Sequence, residues 1–450
     1  MVSLLVKIFE KKHSLSWHHV CVFVLTYFSY AIFQGNRRAF DDCKNTLNNT
    51  FVFQSSIKSS ETNENPILFF KKLDIYFAFA YSTGLFISGI LGDRLNLRFM
   101  LTFGMCGSAI ITLTIGYLEN ITKTPNENYY YVLYSINGLF QSIGWPVSVA
   151  IMGNWFPSGD ILYGIWGGNG YLGYIFCSYI VRYSLNYDYT KGMLLNGSLL
   201  FCCGVINLFC LITHPNQVGI IENNLSNVRN NKNDVLIKKA VGFGEAVLLP
   251  GVLTYAVSYS FILMINDIFF FSLSTYLSID PRWDDIKSNS LESYFDYGSI
   301  IGGIVAGTLS KMIGMRSPVI FTMFLFSIAT IYLNFKLDNG RTNAIIIFFN
   351  GFLVGGPDVI ISTAISVDLS KHDQIKNKAQ ALATITGIID GTGHFASAVA
   401  QCLILTIKKK FNWNGVFFFL MFVSIASCFW SFFILYKDIL NRKNKKYIKL

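Results

Sequence analysis

Arg37 and Arg38 stand side by side in YFSYAIFQGNRRAFDDCK, where an apolar run has not clearly ended. A guanidinium is a planar fork that stays charged and can bind phosphate oxygens in pairs. A charged side chain within hydrocarbon costs several kcal/mol on insertion scales, so arginines inside a membrane span are candidate binding groups by default. Two other readings compete: the pair ends a helix at a membrane surface, or Arg38 pairs with Asp41 or Asp42 one turn on. Asp267, Asp296, Asp358 and Asp390 are acids set in apolar stretches. Asp296 and Asp390 are read as coupling protons or steadying helix packing; Asp267 and Asp358 as bringing a proton, meeting a cationic group of the ligand or pairing with Arg37 or Arg38. For Asp296, near a helix start, the structural role is the expectation.

The elements that must position these groups are membrane helices. Of 450 residues, 52% are hydrophobic and only 14% charged, too little charge to cover a soluble protein of this size. The apolar residues come in runs, and about 20 of them in a row cross a bilayer as a helix. The pattern predicts an all-α polytopic membrane protein with spans near 17–45, 73–91, 99–118, 129–152, 161–184, 191–212, 246–278, 291–312, 317–335, 344–367, 377–406 and 413–436. The polar, Asn-rich stretch between His214 and Glu245 reads as a linker. The expected organisation is a cytoplasmic N-terminus (1–16), a six-helix bundle (17–212), a cytoplasmic linker (213–245), a second six-helix bundle (246–436) and a basic cytoplasmic tail (437–450).

The formal net charge of +10 falls mostly in gaps between runs, so it reads as membrane topology and not as a nucleic-acid face. With both ends cytoplasmic, about 20 basic residues lie on the cytoplasmic side and about 12 on the other, with Lys408 to Lys410 on the wrong side. Asn48-Asn49-Thr50 and Asn120-Ile121-Thr122 then fall on the lumenal or exterior face, making Asn48 and Asn120 expected glycosylation acceptors. The nine cysteines have no metal-ligand spacing, and no metal or cofactor is expected. HExxH, GxSxG and GKS/GKT motifs are absent, which argues against an enzyme.

An internal repeat links the halves. GILGDRLNLR follows the second span and GTLSKMIGMR the eighth, pairing Gly89 with Gly307 and Arg98 with Arg316 at an offset of about 218 residues. Gly89 permits close helix approach, and Asp93, Arg94 and Arg98 can form a latch across a closing interface. In the second copy Lys311 replaces the acid and Met312 the base, so Arg316 must work in a different or weaker latch.

Three stretches carry a family resemblance: GNWFPSGDILYGIWGGNGYLG from Gly153, YFDYGSIIGGIVAGTLSKMIGMRSPVI from Tyr294, and GFLVGGPDVIISTAISVDL with KNKAQALATITGIIDGTG between Gly351 and Gly393. Together they resemble the sugar-phosphate exchangers, the organophosphate:phosphate antiporter branch of the major facilitator superfamily. The resemblance covers nearly the whole chain, Trp17 to Asp438. It implies a major facilitator fold of twelve transmembrane helices in two pseudo-symmetric six-helix halves. It also implies transport of a sugar phosphate or related organic anion, by exchange for inorganic phosphate through alternating access. On this resemblance Arg37, or Arg38 instead, binds the phosphoryl group. Tyr81, Trp145 and Trp166 match cavity-facing residues, and the endoplasmic reticulum is the expected location, ahead of lysosomal or plasma membrane.

The chain also departs from the family pattern. Gly168, Asn169 and Gly170 occupy the place of a histidine in the fifth helix. Where relatives carry a base in the seventh helix, this chain has Asn266 and Asp267, and Asp358 adds an acid in the tenth. A phosphate dianion would be less well neutralised there. The alternative expectation is therefore a relative acting on a different anion, or one without transport that serves as partner to another membrane protein.

Overall fold

In a bilayer every backbone N–H and C=O must be satisfied internally, which leaves long apolar runs only the helix or the closed barrel. The computed structural model of this chain describes residues 16–49, 66–121, 127–157, 159–185, 189–220, 240–277, 285–336, 340–371 and 381–447. Among these residues all regular structure is helical. The N-terminal helices are α1 (Trp17–Asn49), α2 (Pro66–Gly92), α3 (Leu97–Ile121), α4 (Glu127–Gln141), α5 (Gly144–Trp155), α6 (Asp160–Trp166), α7 (Asn169–Leu185) and α8 (Tyr189–Cys210). After a short α9 (Phe243–Val247) come α10 (Val252–Leu277), α11 (Asp285–Ile313), α12 (Ser317–Lys336), α13 (Gly340–Ile360), α14 (Ser366–Leu369) and α15 (Leu382–Tyr447). Among the described residues, seven helices are long and apolar enough to cross a membrane. Large exposed side chains such as Phe103, Phe209, Phe326 and Phe429 form an outer surface suited to lipid.

The spans read from the sequence need correction at their breaks. The run 129–152 is two helices, α4 and α5, parted at Ser142 and Ile143. Pro146 falls in the first turn of α5, where its missing N–H costs no intrahelical bond. The run 161–184 is likewise split into α6 and α7 at Gly167-Gly168. Pro357 lies inside α13, and a π-helical turn, Ile361–Ile365, follows it. The run 246–278 starts later, because Gly251 has φ +100° and separates α9 from α10. The runs 377–406 and 413–436 need no such correction: they are two helical segments, labelled together as α15 and separated by the non-helical backbone of Asn412 (φ 54°, ψ −158°). The middle of the expected linker, both chain ends, Thr50 and Thr122 lie outside the described residues, as do the side chains of Asn48 and Asn120.

Burial is organised around separate cores. One is drawn from residues 241–423 together with Tyr171. A second comes from residues 22–211 with Ala364, Val367 and Ala383, and a third from residues 39–193. Between these regions α2 packs on α15, and α6 and α7 pack on α11. Both contacts are made close by glycine. A Cβ at Gly89 would stand 2.8 Å from the Ala383 carbonyl and 3.0 Å from Cα of Gly387. One at Gly164 would stand 2.6 Å from the Gly303 carbonyl and 3.5 Å from Cα of Gly307. Gly89 and Gly307, the matched glycines of the repeat, thus sit at corresponding contacts.

The latch expected around Gly89 is made by Asp93 alone of the three charged residues. Its carboxylate accepts from the backbone N–H groups of Ala383 (3.1 Å) and Thr384 (2.8 Å), capping the start of α15 from the end of α2. Burial pushes the Asp93 carboxyl above the usual carboxylate range, against the pull of those donors. Arg94 is exposed and Arg98 half-buried at the same turn. Arg316 makes a different contact: Nη1 reaches Asp368 Oδ2 at 2.5 Å and the Ala364 carbonyl at 2.8 Å. Nearby, Lys371 Nζ donates to the Pro157 carbonyl, tying the loop after α14 to the loop after α5. Contacts also exist towards the other end of the bundle, where Arg182 Nη2 donates to Ser293 Oγ at 3.1 Å.

Candidate functional site

α1 does not end at the double arginine. It continues to Asn49, so Arg37 and Arg38 are mid-helix residues, only 3% and 4% exposed. Burying two guanidinium groups requires compensation, and each has an identifiable neighbour. Arg38 Nε lies 3.7 Å from Asp42 Oδ1, one turn on. The Arg37 guanidinium carbon stands 4.8 Å from the Phe77 ring centroid and 5.6 Å from that of Tyr81, both on α2. A guanidinium near an aromatic ring face is attracted by the ring's quadrupole. Asp267 on α10 is near enough for its charge to act on Arg37.

Both arginines line one cavity. Of the residues singled out in the sequence, Tyr81, Trp145, Asn169, Asn266, Asp267, Asp358 and Asp390 line this same cavity, and so does Asp296. They arrive from α1, α2, α5, α7, α10, α11, α13 and α15, so both halves of the chain build the wall.

Helix breaks bring several of them there. The Gly167-Gly168 break starts α7 at the wall, with Asn169 as its first residue. Asn169 is fully buried, and neither polar atom of its side chain has a hydrogen-bond partner. The start of α5 brings Trp145 against Tyr30, with centroids 4.7 Å apart. On α13, Asp358 sits just before the π-helical turn and beside Pro357. Its Oδ2 accepts a 2.6 Å bond from the Tyr171 hydroxyl, which in turn accepts from Asn266 Nδ2 at 2.9 Å. Oδ1 of Asp358 and Oδ2 of Asp390 are buried without a partner. Unsatisfied buried acceptors cost free energy, and a ligand with hydroxyl or ammonium donors would recover it.

Trp166 is a correction. The sequence placed it facing the cavity, but it lies one ring behind the wall. It is fully buried and stacks on Trp145 at 5.3 Å and 24°. Its Nε1–H donates to Thr26 Oγ1 at 3.1 Å, satisfying the one polar group of a buried indole.

Sequence reasoning missed several contributors. Tyr171, Tyr174 and Tyr259 line the cavity, although a tyrosine in an apolar helix carries no local mark of function. His394, next to the quoted IIDGTG, also lines it. Its Nδ1 lies 3.5 Å from Asp267 Oδ2, and its ring meets Tyr81 edge-on at 4.8 Å. Among the described residues, no cluster of His, Cys, Asp and Glu could hold a metal ion.

The arrangement combines fixed cations, aromatic walls and carboxylates with open lone pairs. Chemically it suits a small polar anion that also offers hydrogen-bond donors. Residues 73–400 match the Major Facilitator Superfamily model. The chain is 36% identical to Sugar phosphate exchanger 3 of Xenopus laevis over 452 residues, covering 90% of each protein. It is 31% identical to Putative glycerol-3-phosphate transporter 1 of Arabidopsis thaliana, covering 93% of this chain and 88% of the relative. It is 28% identical to a human glucose-6-phosphate exchanger, covering 94% of each.

Proposed function

Starting from the fact that this chain belongs to the major facilitator superfamily, and within it to the sugar phosphate exchangers, we propose that it carries sugar phosphates or closely related organic phosphates across a membrane. The observation that carries the reading is the cavity walled by both halves, with two buried arginines on one side. A phosphoryl group docks on Arg37, whose donors match its oxygens in pairs. Tyr81 flanks that contact. Asn169, Asp358 and Asp390 take the hydroxyls of the sugar, and Trp145 packs against its carbon face. Arg38, offset by Asp42, strengthens the positive field and is the secondary contact.

Two six-helix bundles, 17–212 and 246–436, rock about this site. The contacts of α2 with α15 and of α6 with α11 open and close in the cycle. Inorganic phosphate is the counter-substrate, because it satisfies the same cationic subsite and lets the emptied carrier return. The reading makes the protein a carrier and not an enzyme, since nothing bound there needs to be chemically changed. The endoplasmic reticulum is the membrane we assign, with Asn48 and Asn120 as lumenal glycosylation acceptors.

The direct test uses purified protein in liposomes loaded with phosphate and supplied outside with labelled glucose-6-phosphate or glycerol-3-phosphate. Uptake that requires internal phosphate supports exchange. Uptake of neither substrate, by protein that elutes as a single folded species, removes the proposal in favour of another anion or a partner role.

A further inference from the structure

The family resemblance leads one to expect a base on the helix that became α10. This chain has Asn266 and Asp267 there instead. A bare carboxylate opposite Arg37 would repel a phosphate dianion. Asp267, however, is not presented bare. Its Oδ2 accepts from Ser397 Oγ at 2.6 Å and lies 3.5 Å from His394 Nδ1. Both partners sit on α15, one turn apart on the face that meets α10 and the cavity.

We propose that His394 supplies the positive contact of the C-terminal half to the phosphoryl group, and that Asp267 positions it. This rests on the transport reading above. An imidazole held through Nδ1 by a carboxylate leaves Nε2–H for a ligand. The Tyr81 ring, edge-on to the imidazole and 5.6 Å from the Arg37 guanidinium, spans the gap between the two cationic groups. The phosphoryl group would then lie between Arg37 on α1 and His394 on α15, closing one cationic clamp across the two halves. The acid on α10 takes over the expected base's role indirectly, as the anchor of a histidine on the neighbouring helix.

The test is phosphate homoexchange in proteoliposomes, with unlabelled phosphate inside and labelled phosphate outside, so that no sugar has to be identified. His394→Ala and His394→Gln should raise the KM for phosphate by about 10- to 100-fold, the worth of one hydrogen bond to a charged group. His394→Arg should restore it to within about threefold, a rescue that a merely structural role for residue 394 would not give. Asp267→Asn should raise KM less than His394→Ala, because it loosens the imidazole without removing it. Wild-type KM in His394→Gln would overturn the inference while leaving the transport reading intact. A wild-type protein that exchanges no phosphate would overturn both. Where His394→Ala fails to fold, the comparison of His394→Gln with His394→Arg decides.

Discussion

Removing the Asp93 carboxylate should unfasten one end of the transporter. In the structure that carboxylate joins the end of α2 to the start of α15 through two backbone donors, at 3.1 and 2.8 Å. The Thr384 hydroxyl adds a contact to the Gly89 carbonyl at 3.4 Å. A hydrogen bond contributes about 1 kcal/mol net, so Asp93→Ala loses about 2 kcal/mol from the closed arrangement. Since 1.4 kcal/mol is a factor of ten, the ratio of closed to open states at that end should fall about 30-fold. Asp93→Asn keeps one acceptor and should fall between the two. Leu95, beyond α2, and Met312, near the end of α11, are exposed and belong to opposite halves. Spin labels placed there on a cysteine-replaced background would report the separation by pulsed dipolar spectroscopy. The expected result is a shift of the distance distribution towards longer separations in Asp93→Ala, partial in Asp93→Asn. An unchanged distribution in both would refute the latch reasoning, because the two bonds would then not distinguish the states.

Other substitutions separate structural from substrate contacts. Trp166→Phe keeps the stack on Trp145 but removes the Nε1–H bond to Thr26; it should cost about 1 kcal/mol, read as a lower melting temperature, with substrate affinity within about twofold of wild type. Arg316→Ala breaks a pair whose acid, Asp368, has a side chain 59% exposed, so no more than about 1 kcal/mol of thermal stability should be lost. A larger drop would mean that the bond to the Ala364 carbonyl holds the π-helical turn after α13 in place. Gly89→Val should be more damaging than either, since its branched side chain would meet the Ala383 carbonyl and Gly387 backbone; overpacking of this kind costs about 1–3 kcal/mol and should slow exchange.

Much of this arrangement could be anticipated from the chain itself, and the parts that could not have physical reasons. The double arginine was visible because charge in an apolar run is costly, and Arg37 does line the cavity. The matched Gly89 and Gly307 were visible because a repeat preserves spacing, and they mark corresponding helix contacts. The breaks at Ser142 and Gly167 were harder, since hydropathy runs through them unchanged; only GWP and GGN hinted at them. Trp166 and Trp145 look equivalent in sequence, yet one ring shields the other from the cavity. His394 carries no signal of its own, because its role depends on Asp267, which the fold brings from a helix more than a hundred residues away.

The central claim is that Arg37 binds the phosphoryl group of a transported substrate. Its most direct measurement is uptake of labelled glucose-6-phosphate into phosphate-loaded proteoliposomes, comparing wild type with Arg37→Ala and Arg37→Lys at matched, folded protein levels. The account predicts phosphate-dependent uptake by wild type, loss of it in Arg37→Ala, and weak recovery in Arg37→Lys, which keeps the charge without the paired donors. Uptake by Arg37→Ala at the wild-type rate and KM would contradict it.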